Sequence, residues 1–594
     1  MKLNPLSGAR SYVESEDIFP TRLGKESIPR LLSHIDVYSG LVALCKIEWA
    51  LEDKGQIDLQ TQLDLAAHLL APTALSRALL LIRNEPHRIL FFRPQVHLAM
   101  KLLCIYGQTH EPPAGVGRAE LQTIGTALFA ATDMIAAESV RVQQSLRDQD
   151  PHQRIAHQLT LGEHMLKPPN SLLDFLRAKA MYVRIHNSLD PCPFPALQDL
   201  ETLFGKAVGV PLSTHLEIGL GLLLNLQKFR RTPHLLPPKK NFILFQPQSW
   251  FSPSQVNPSF VSASLRTIAQ TPEALAETTR AQSPRELSHD FLAMKLSPMI
   301  ELADDTYAPV SYDFVSERLS SGTFWTIFDY LRDVLPSDQH LRWSEYHGLL
   351  FELYVREIAQ ELIAQHPNEY TLVADATYQL GKRRKKTSDA ILLGADHVLV
   401  IEATAARLTA RRTYALGLQE AFREDCDKVI FNKARELAAF LDDLLGDRVS
   451  VGETQLSIKD RIVFPVLVAI EGFPKMPPID DYIYDEIGAK GTFDDLPVQP
   501  LSILSIEDLE LISREPPASL FELFRAWHSH PHFRYISLSA FFADSTIPRS
   551  AAATAWYDSA VTRTLNEATH TIFGKSLAEI IEAERGASAG DLAG

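Results

Sequence analysis

Cysteine is scarce here: there are four in 594 residues, Cys45, Cys104, Cys192 and Cys426. They stand far apart, each in or near an apolar segment. A disulfide framework or a cysteine zinc site needs paired or closely spaced thiols, so neither is expected. The pattern predicts buried free thiols in a reducing, cytoplasmic setting. Long apolar runs are missing too. Every hydrophobic stretch meets charge or proline well before the ~20 residues that a membrane helix requires, so no membrane partner is expected. The opening Met1-Lys2-Leu3-Asn4-Pro5 has no apolar run of signal-peptide type. No Gly-x-x-x-x-Gly-Lys-Ser/Thr loop cradles a nucleotide, and no Gly-x-Ser-x-Gly elbow offers a serine nucleophile. No fixed-period repeat supports a solenoid. Positive charge is in deficit: the net charge is −15 and the pI is near 5.8. That excludes a protein that coats nucleic acid non-specifically, yet permits a local basic groove.

What is present fits a folded protein of several domains. Hydrophobic residues make up 45% and charged residues 22%, and the length suggests roughly three or four domains. Residues 1–232 read as a large all-helical N-terminal domain, a surface suited to a protein partner. Its first strong pattern, Leu31 to Leu51, offers Leu31, Ile35, Tyr38, Val42, Cys45 and Trp49 as one buried stripe. Comparable patterns run over Leu63–Ile82, Ala119–Leu146, Ser171–Ile185 and Leu212–Leu226. Residues 233–297 form a Pro/Ser-rich connector with helices at Pro272–Thr279 and Pro284–Met294 and a short strand at Phe242–Phe245. Residues 298–512 change character. A strand at Pro298–Leu302 and a helix at Tyr312–Leu331 lead into a helix at Trp343–Gln365. Three strands follow, at Thr371–Gln379, Asp389–Leu393 and His397–Ala403. Then come a long helix from about Leu418 to Leu445, strands at Ile462–Ile470 and Pro500–Leu504, and a helix opening at Ser505. Residues 513–594 read as a small helical tail.

The α/β region carries the chemistry. Asp389 heads one strand and Glu402 closes the next, 402 − 389 = 13 positions later. A hairpin of that length brings both carboxylates to one sheet edge. Carboxylates converging there could hold Mg²⁺ or Mn²⁺ through hard oxygen ligands, polarise a phosphodiester and activate water. Glu402 follows Val398-Leu399-Val400-Ile401, so it lies against buried surface and requires a partner or a metal. Just before Asp389 stands the densest basic run of the chain, Lys382-Arg383-Arg384-Lys385-Lys386, placed where phosphates would be gripped. Arg407, Arg411 and Arg412 would extend that surface. His528-Ser529-His530-Pro531-His532 lacks a completing Cys or acidic residue and reads as a loop, not a metal site.

Taken together, Gly348-Leu349-Leu350-Phe351-Glu352, Asp389 and Glu402-Ala403-Thr404 resemble the PD-(D/E)XK nuclease superfamily, the restriction-endonuclease-like proteins. The resemblance covers about a quarter to a third of the chain. It implies a mixed sheet flanked by helices, with Asp389, Glu402 and Glu352 on the metal; Glu345, seven residues before Glu352, is an alternative. It also implies DNA, or less readily RNA, as substrate, a role in anti-phage defence or recombination, and possible homodimers. The sequence departs from the family where a lysine is expected, because Thr404 stands there. A hydroxyl can hold water but brings no positive charge. Two readings stay open. The lysine function has moved to Lys385 or Lys386, or to Lys428 or Lys433; or the module is a catalytically inactive scaffold that binds nucleic acid or a partner subunit.

Overall fold

The computed structural model describes residues 11–52, 55–109, 116–145, 171–189, 191–230, 244–251, 254–302, 305–334, 337–366, 369–407 except 375 and 381, 419–451, 454–550 except 472, 474 and 476, and 555–579. The chain is mostly helical, with a helical N-terminal region followed by a mixed sheet and further helices. Two small strands interrupt the first region: Ser11–Tyr12 pairs in parallel with Arg88–Ile89.

The expected helix over Leu31–Leu51 is broken. It becomes Ser27–Leu32 and Val37–Leu51, because Asp36 caps a new start by accepting from Ser39 N at 2.8 Å. The restart changes which side chains face inward. Leu41, Leu44, Cys45, Ile47 and Leu51 are buried, whereas Tyr38, Val42 and Trp49 are half-buried. Tyr312–Leu331 likewise divides, into Tyr312–Leu319 and Thr323–Val334, around Ser320-Ser321-Gly322. Cys45, Cys192 and Cys426 are buried and Cys104 half-buried, all as free thiols. No helix among the described residues is long and apolar enough to cross a membrane.

The sheet module begins with a long helix, α1 (Ser337–Ala364). Strands β1 (Thr371–Ala374), β2 (Thr377–Leu380), β3 (Arg383–Lys386), β4 (Ala390–Leu393) and β5 (His397–Thr404) follow. Next are α2 (Gln419–Cys426) and α3 (Asn432–Leu445), joined by the wider helical turn Asp427–Phe431. Strand β6 (Ile462–Ala469), α4 (Pro477–Ala489), β7 (Ser502–Ser505) and α5 (Ile506–Arg514) complete it. The sheet order is β7-β6-β5-β4-β1. Strands β1, β4 and β5 form an antiparallel meander, while β5, β6 and β7 run parallel. Parallel neighbours need long crossovers, which α2–α3 and α4 supply. Thr371–Gln379 is therefore not one strand. The chain leaves the sheet after Ala374, and β2 pairs with β3 as a separate ribbon that contains the basic run.

Each face of the sheet has its own cover. Leu399, Ile401 and Ala403 of β5 point to the core containing Phe351, Val355 and Ile358 of α1. Val398 and Val400 point to the core containing Leu437 and Leu441 of α3. The helices after Pro516 are not separate: Leu520, Leu523 and Trp527 share the α1 core with Phe464 and Leu504. In the same way Leu275, Met294, Ile300 and Phe314 pack into the N-terminal core with Leu41 and Phe129. Short amphipathic helices cannot bury their apolar stripes alone, so the cores cross the boundaries suggested by composition.

Candidate functional site

Strand register builds the site. Ala390 pairs with Ile401, so one further step along the antiparallel pair sets Asp389 opposite Glu402. The Asp389 carboxylate is 3% exposed, and its Oδ2 accepts from Ala403 N at 2.8 Å. That bond fixes it against the end of β5. Side chains alternate along a strand, so Glu402 and Thr404 lie on the α3 face with Val398 and Val400. Glu352 approaches from α1.

Two lysines pair with these acids. Lys386 Nζ lies 2.5 Å from Glu352 Oε2 and 3.1 Å from Asp389 Oδ1. Lys433, on the first turn of α3, lies 3.0 Å from Glu402 Oε1 and 2.8 Å from Glu436 Oε2. The wider helical turn Asp427–Phe431 ends just before it, a feature frequent near functional positions. Neither lysine occupies the position two residues after Glu402. Thr404 there is buried, and its Oγ1 accepts from Ala406 N at 3.3 Å. Its hydroxyl serves its own turn.

Electrostatics separate these acids from ordinary surface carboxylates. Burial, and then the charge of Asp389, push Glu402 up to about 7 against the pull of Lys433. Glu352 is raised by the same two causes while Lys386 opposes them. Burial works against the charged form of Lys386, but Asp389 and Glu352 outweigh it and hold the amine above its ordinary value. Lys433 is likewise raised, as Glu402 and Glu436 overcome its burial. Asp389 thus repels both Glu352 and Glu402, with Lys386 between Asp389 and Glu352 and Lys433 between Glu402 and Glu436. Asp389 and Glu402, opposite each other across β4 and β5, are hard-oxygen groups of the kind a divalent cation takes, while Lys386 already bridges Asp389 to Glu352.

Other expected site residues divide. Lys382, Arg383 and Arg384 are exposed on the β2–β3 ribbon. Lys385 is committed elsewhere: it and the Tyr378 hydroxyl both donate to Asp443 Oδ2, at 2.8 and 2.7 Å. Arg407 does not join the basic surface. Its side chain is 9% exposed and lies with its guanidinium 4.7 Å from the Phe324 ring centroid. Arg411 and Arg412 lie outside the described residues. Glu345 is exposed, and Lys428 pairs with Asp425 at 3.6 Å, so neither reaches the acids. His528 is tied to Ser502 Oγ at 2.8 Å. Among the described residues no three His, Cys, Asp or Glu side chains gather as a metal-holding group, Glu352, Asp389 and Glu402 included. Sequence reasoning missed Asp443 and Tyr378 altogether, since nothing local connects them to the basic run.

Comparison of the chain with protein-family models, characterised proteins and solved structures finds no match.

Proposed function

We propose that the sheet module is a metal-dependent phosphodiesterase of the restriction-endonuclease-like class, acting on DNA in an anti-phage or recombination setting. One observation carries this reading: Lys433 stands 3.0 Å from Glu402 and supplies, from α3, the positive charge that Thr404 cannot. The strand order supports it, since a helix, an antiparallel meander, a crossover helix and a parallel strand follow in the sequence the resemblance implies.

Asp389 and Glu402 would hold Mg²⁺ or Mn²⁺, and Glu352 would join them on release from Lys386; the ion when bound supplies Lewis-acid polarisation of a phosphodiester. The remaining work falls to this chain. Glu402 stands near the end of β5 on the face that α3 covers. Lys433 holds that carboxylate in place and offsets charge at the phosphate. Lys386 steadies Asp389 and Glu352.

One observation favours a second reading. Lys386 already bridges Glu352 and Asp389, and a site neutralised in this way suits a scaffold that binds without cutting. Incubating the purified protein with DNA and RNA in Mg²⁺ or Mn²⁺, beside Asp389→Ala and Lys433→Ala, separates the two. The nuclease reading expects cleavage that falls about 100-fold or more in both variants. Absence of cleavage in every metal favours the scaffold, and equal cleavage by Asp389→Ala sinks the site assignment.

A further inference from the structure

The β2–β3 ribbon has two unlike faces. Its register pairs Thr377 with Lys386, Tyr378 with Lys385, Gln379 with Arg384 and Leu380 with Arg383. Alternation puts Tyr378, Leu380, Arg383 and Lys385 on one face. That face is held down on α3 through Asp443, and Tyr378 is 3% exposed. The other face presents Thr377, Gln379, Arg384 and Lys386, all exposed. Arg384 Nε donates to Thr377 Oγ1 across it at 2.8 Å. At its foot, Lys386 touches Glu352 and Asp389, so the outer face runs directly into the acidic site.

We infer that this outer face docks B-form duplex DNA, with the ribbon lying in the major groove and its foot at the acidic site. The inference rests on the proposal above that the module meets nucleic acid. Four observations argue for it. Arg, Lys, Gln and Thr are the side chains that bond phosphates and base edges. Among the described residues, Lys382 at the ribbon turn and Arg384 on its outer face have no carboxylate partner, and they stand on a positive projection of a chain of net charge −15. A two-stranded ribbon fits the B-form major groove, whereas the deep, narrow major groove of duplex RNA excludes it. Single-strand binders stack bases on exposed aromatics, but the ribbon's one aromatic, Tyr378, is turned inward.

Arg383 and Arg384 are adjacent and carry equal charge on opposite faces, so they form a built-in control. Fluorescence anisotropy of the full-length protein in EDTA, with a labelled DNA duplex, the matching RNA duplex and a single strand, reads the preference. The DNA duplex is expected to bind tightest. Arg384→Ala should weaken it roughly tenfold and reduce the salt slope by about one. The uncharged change Gln379→Ala should weaken binding several-fold, and Arg383→Ala less than Arg384→Ala. Unchanged thermal melting of each variant confirms that it folds. Equal effects of Arg383→Ala and Arg384→Ala, no effect of Gln379→Ala, or preference for RNA or single strands would overturn the inference. Cleavage that depends on Asp389 but ignores the ribbon variants would sink the ribbon alone. Duplex binding through Arg384 by a protein that never cuts would support the ribbon and sink the nuclease reading.

Discussion

Two clusters in this molecule use the same ingredients to opposite effect. In the N-terminal region Arg93 donates to Glu48 at 2.6 Å, Asp313 at 2.8 Å and Ser311 at 2.9 Å, and stands 3.7 Å from Glu52. All these charged side chains are buried. Burial alone would raise Glu48, but Arg93 and His97 overcome it and hold the carboxyl below its ordinary range. Near the end of the central strand β5, Glu402 also has a cation at bonding distance, yet it is raised to about 7. The difference lies in the neighbours. A guanidinium forks toward several acids at once, whereas the single ammonium of Lys433 meets an acid that Asp389 is already repelling. The first arrangement is sealed, with its acids paired to one shared cation, although Glu48 Oε2, Glu52 Oε2 and Asp313 Oδ1 accept no hydrogen bond. The second keeps unresolved repulsion beside solvent, the condition in which a carboxyl can exchange protons near neutral pH.

The most severe way to break this comparison is to remove Arg93. Arg93→Met would leave Glu48, Glu52 and Asp313 buried without their shared cation, and the cost expected is about 3–5 kcal/mol. The midpoint of chemical denaturation measures it. A loss below about 1 kcal/mol would show that other groups satisfy these acids, because stranded buried charges cannot be so cheap.

A smaller effect tests the opposite pH signs. Glu402 has a folded value of about 7 against an ordinary 4.5, so its folded state binds more protons between those values. Its contribution to stability is fully present below 4.5 and is lost as pH rises through about 7. Relative to Glu402→Gln, the wild-type chain should therefore lose on the order of 2 kcal/mol between pH 5 and pH 8. Glu48 runs the other way: its contribution is present above 4.5 and fades as pH falls below it. Thermal unfolding of wild type and Glu402→Gln across that range decides the matter, and a gap that does not change with pH would refute the raised carboxyl.

The parts of this picture legible in sequence are those set by local periodicity. The apolar runs of β4, β5 and β6 mark strands, and the spacing of Asp389 and Glu402 marks a hairpin, because strand alternation and short connections act over a few residues. Other parts arise only in three dimensions. Lys433 lies 433 − 402 = 31 positions after Glu402, and reaches it because α3 covers the face toward which Glu402 points. The ribbon strand β3 is Arg-Arg-Lys-Lys, which has no hydrophobic alternation, so its strand character comes from pairing with β2. Helix α4, a crossover that the sequence reading lacks between its last two strands, opens on Pro477-Pro478, which a first helical turn tolerates. The tail helices conceal their role for a similar reason: their stripes show amphipathicity, but not which core receives them.

Arg407 offers the finest test, because sequence and structure give it different jobs. Proximity to Glu402 in sequence makes it a candidate phosphate contact. In the fold it turns inward, with its guanidinium 4.7 Å from the Phe324 ring centroid, 3.4 Å from Ser321 O and 4.0 Å from Glu471. Its charge also helps burial to hold His347 well below the ordinary histidine range. Arg407→Ala should therefore cost about 1 kcal/mol of stability, from the lost cation–π contact and hydrogen bond. It should leave the salt dependence of duplex binding unchanged, since a buried guanidinium releases no phosphate counterions. Thermal melting and a salt titration on the same variant measure both quantities. If the salt slope falls as it does for Arg384→Ala while the melting temperature stays put, Arg407 faces nucleic acid in solution, and the contrast between sealed and solvent-facing charge must be redrawn to include it.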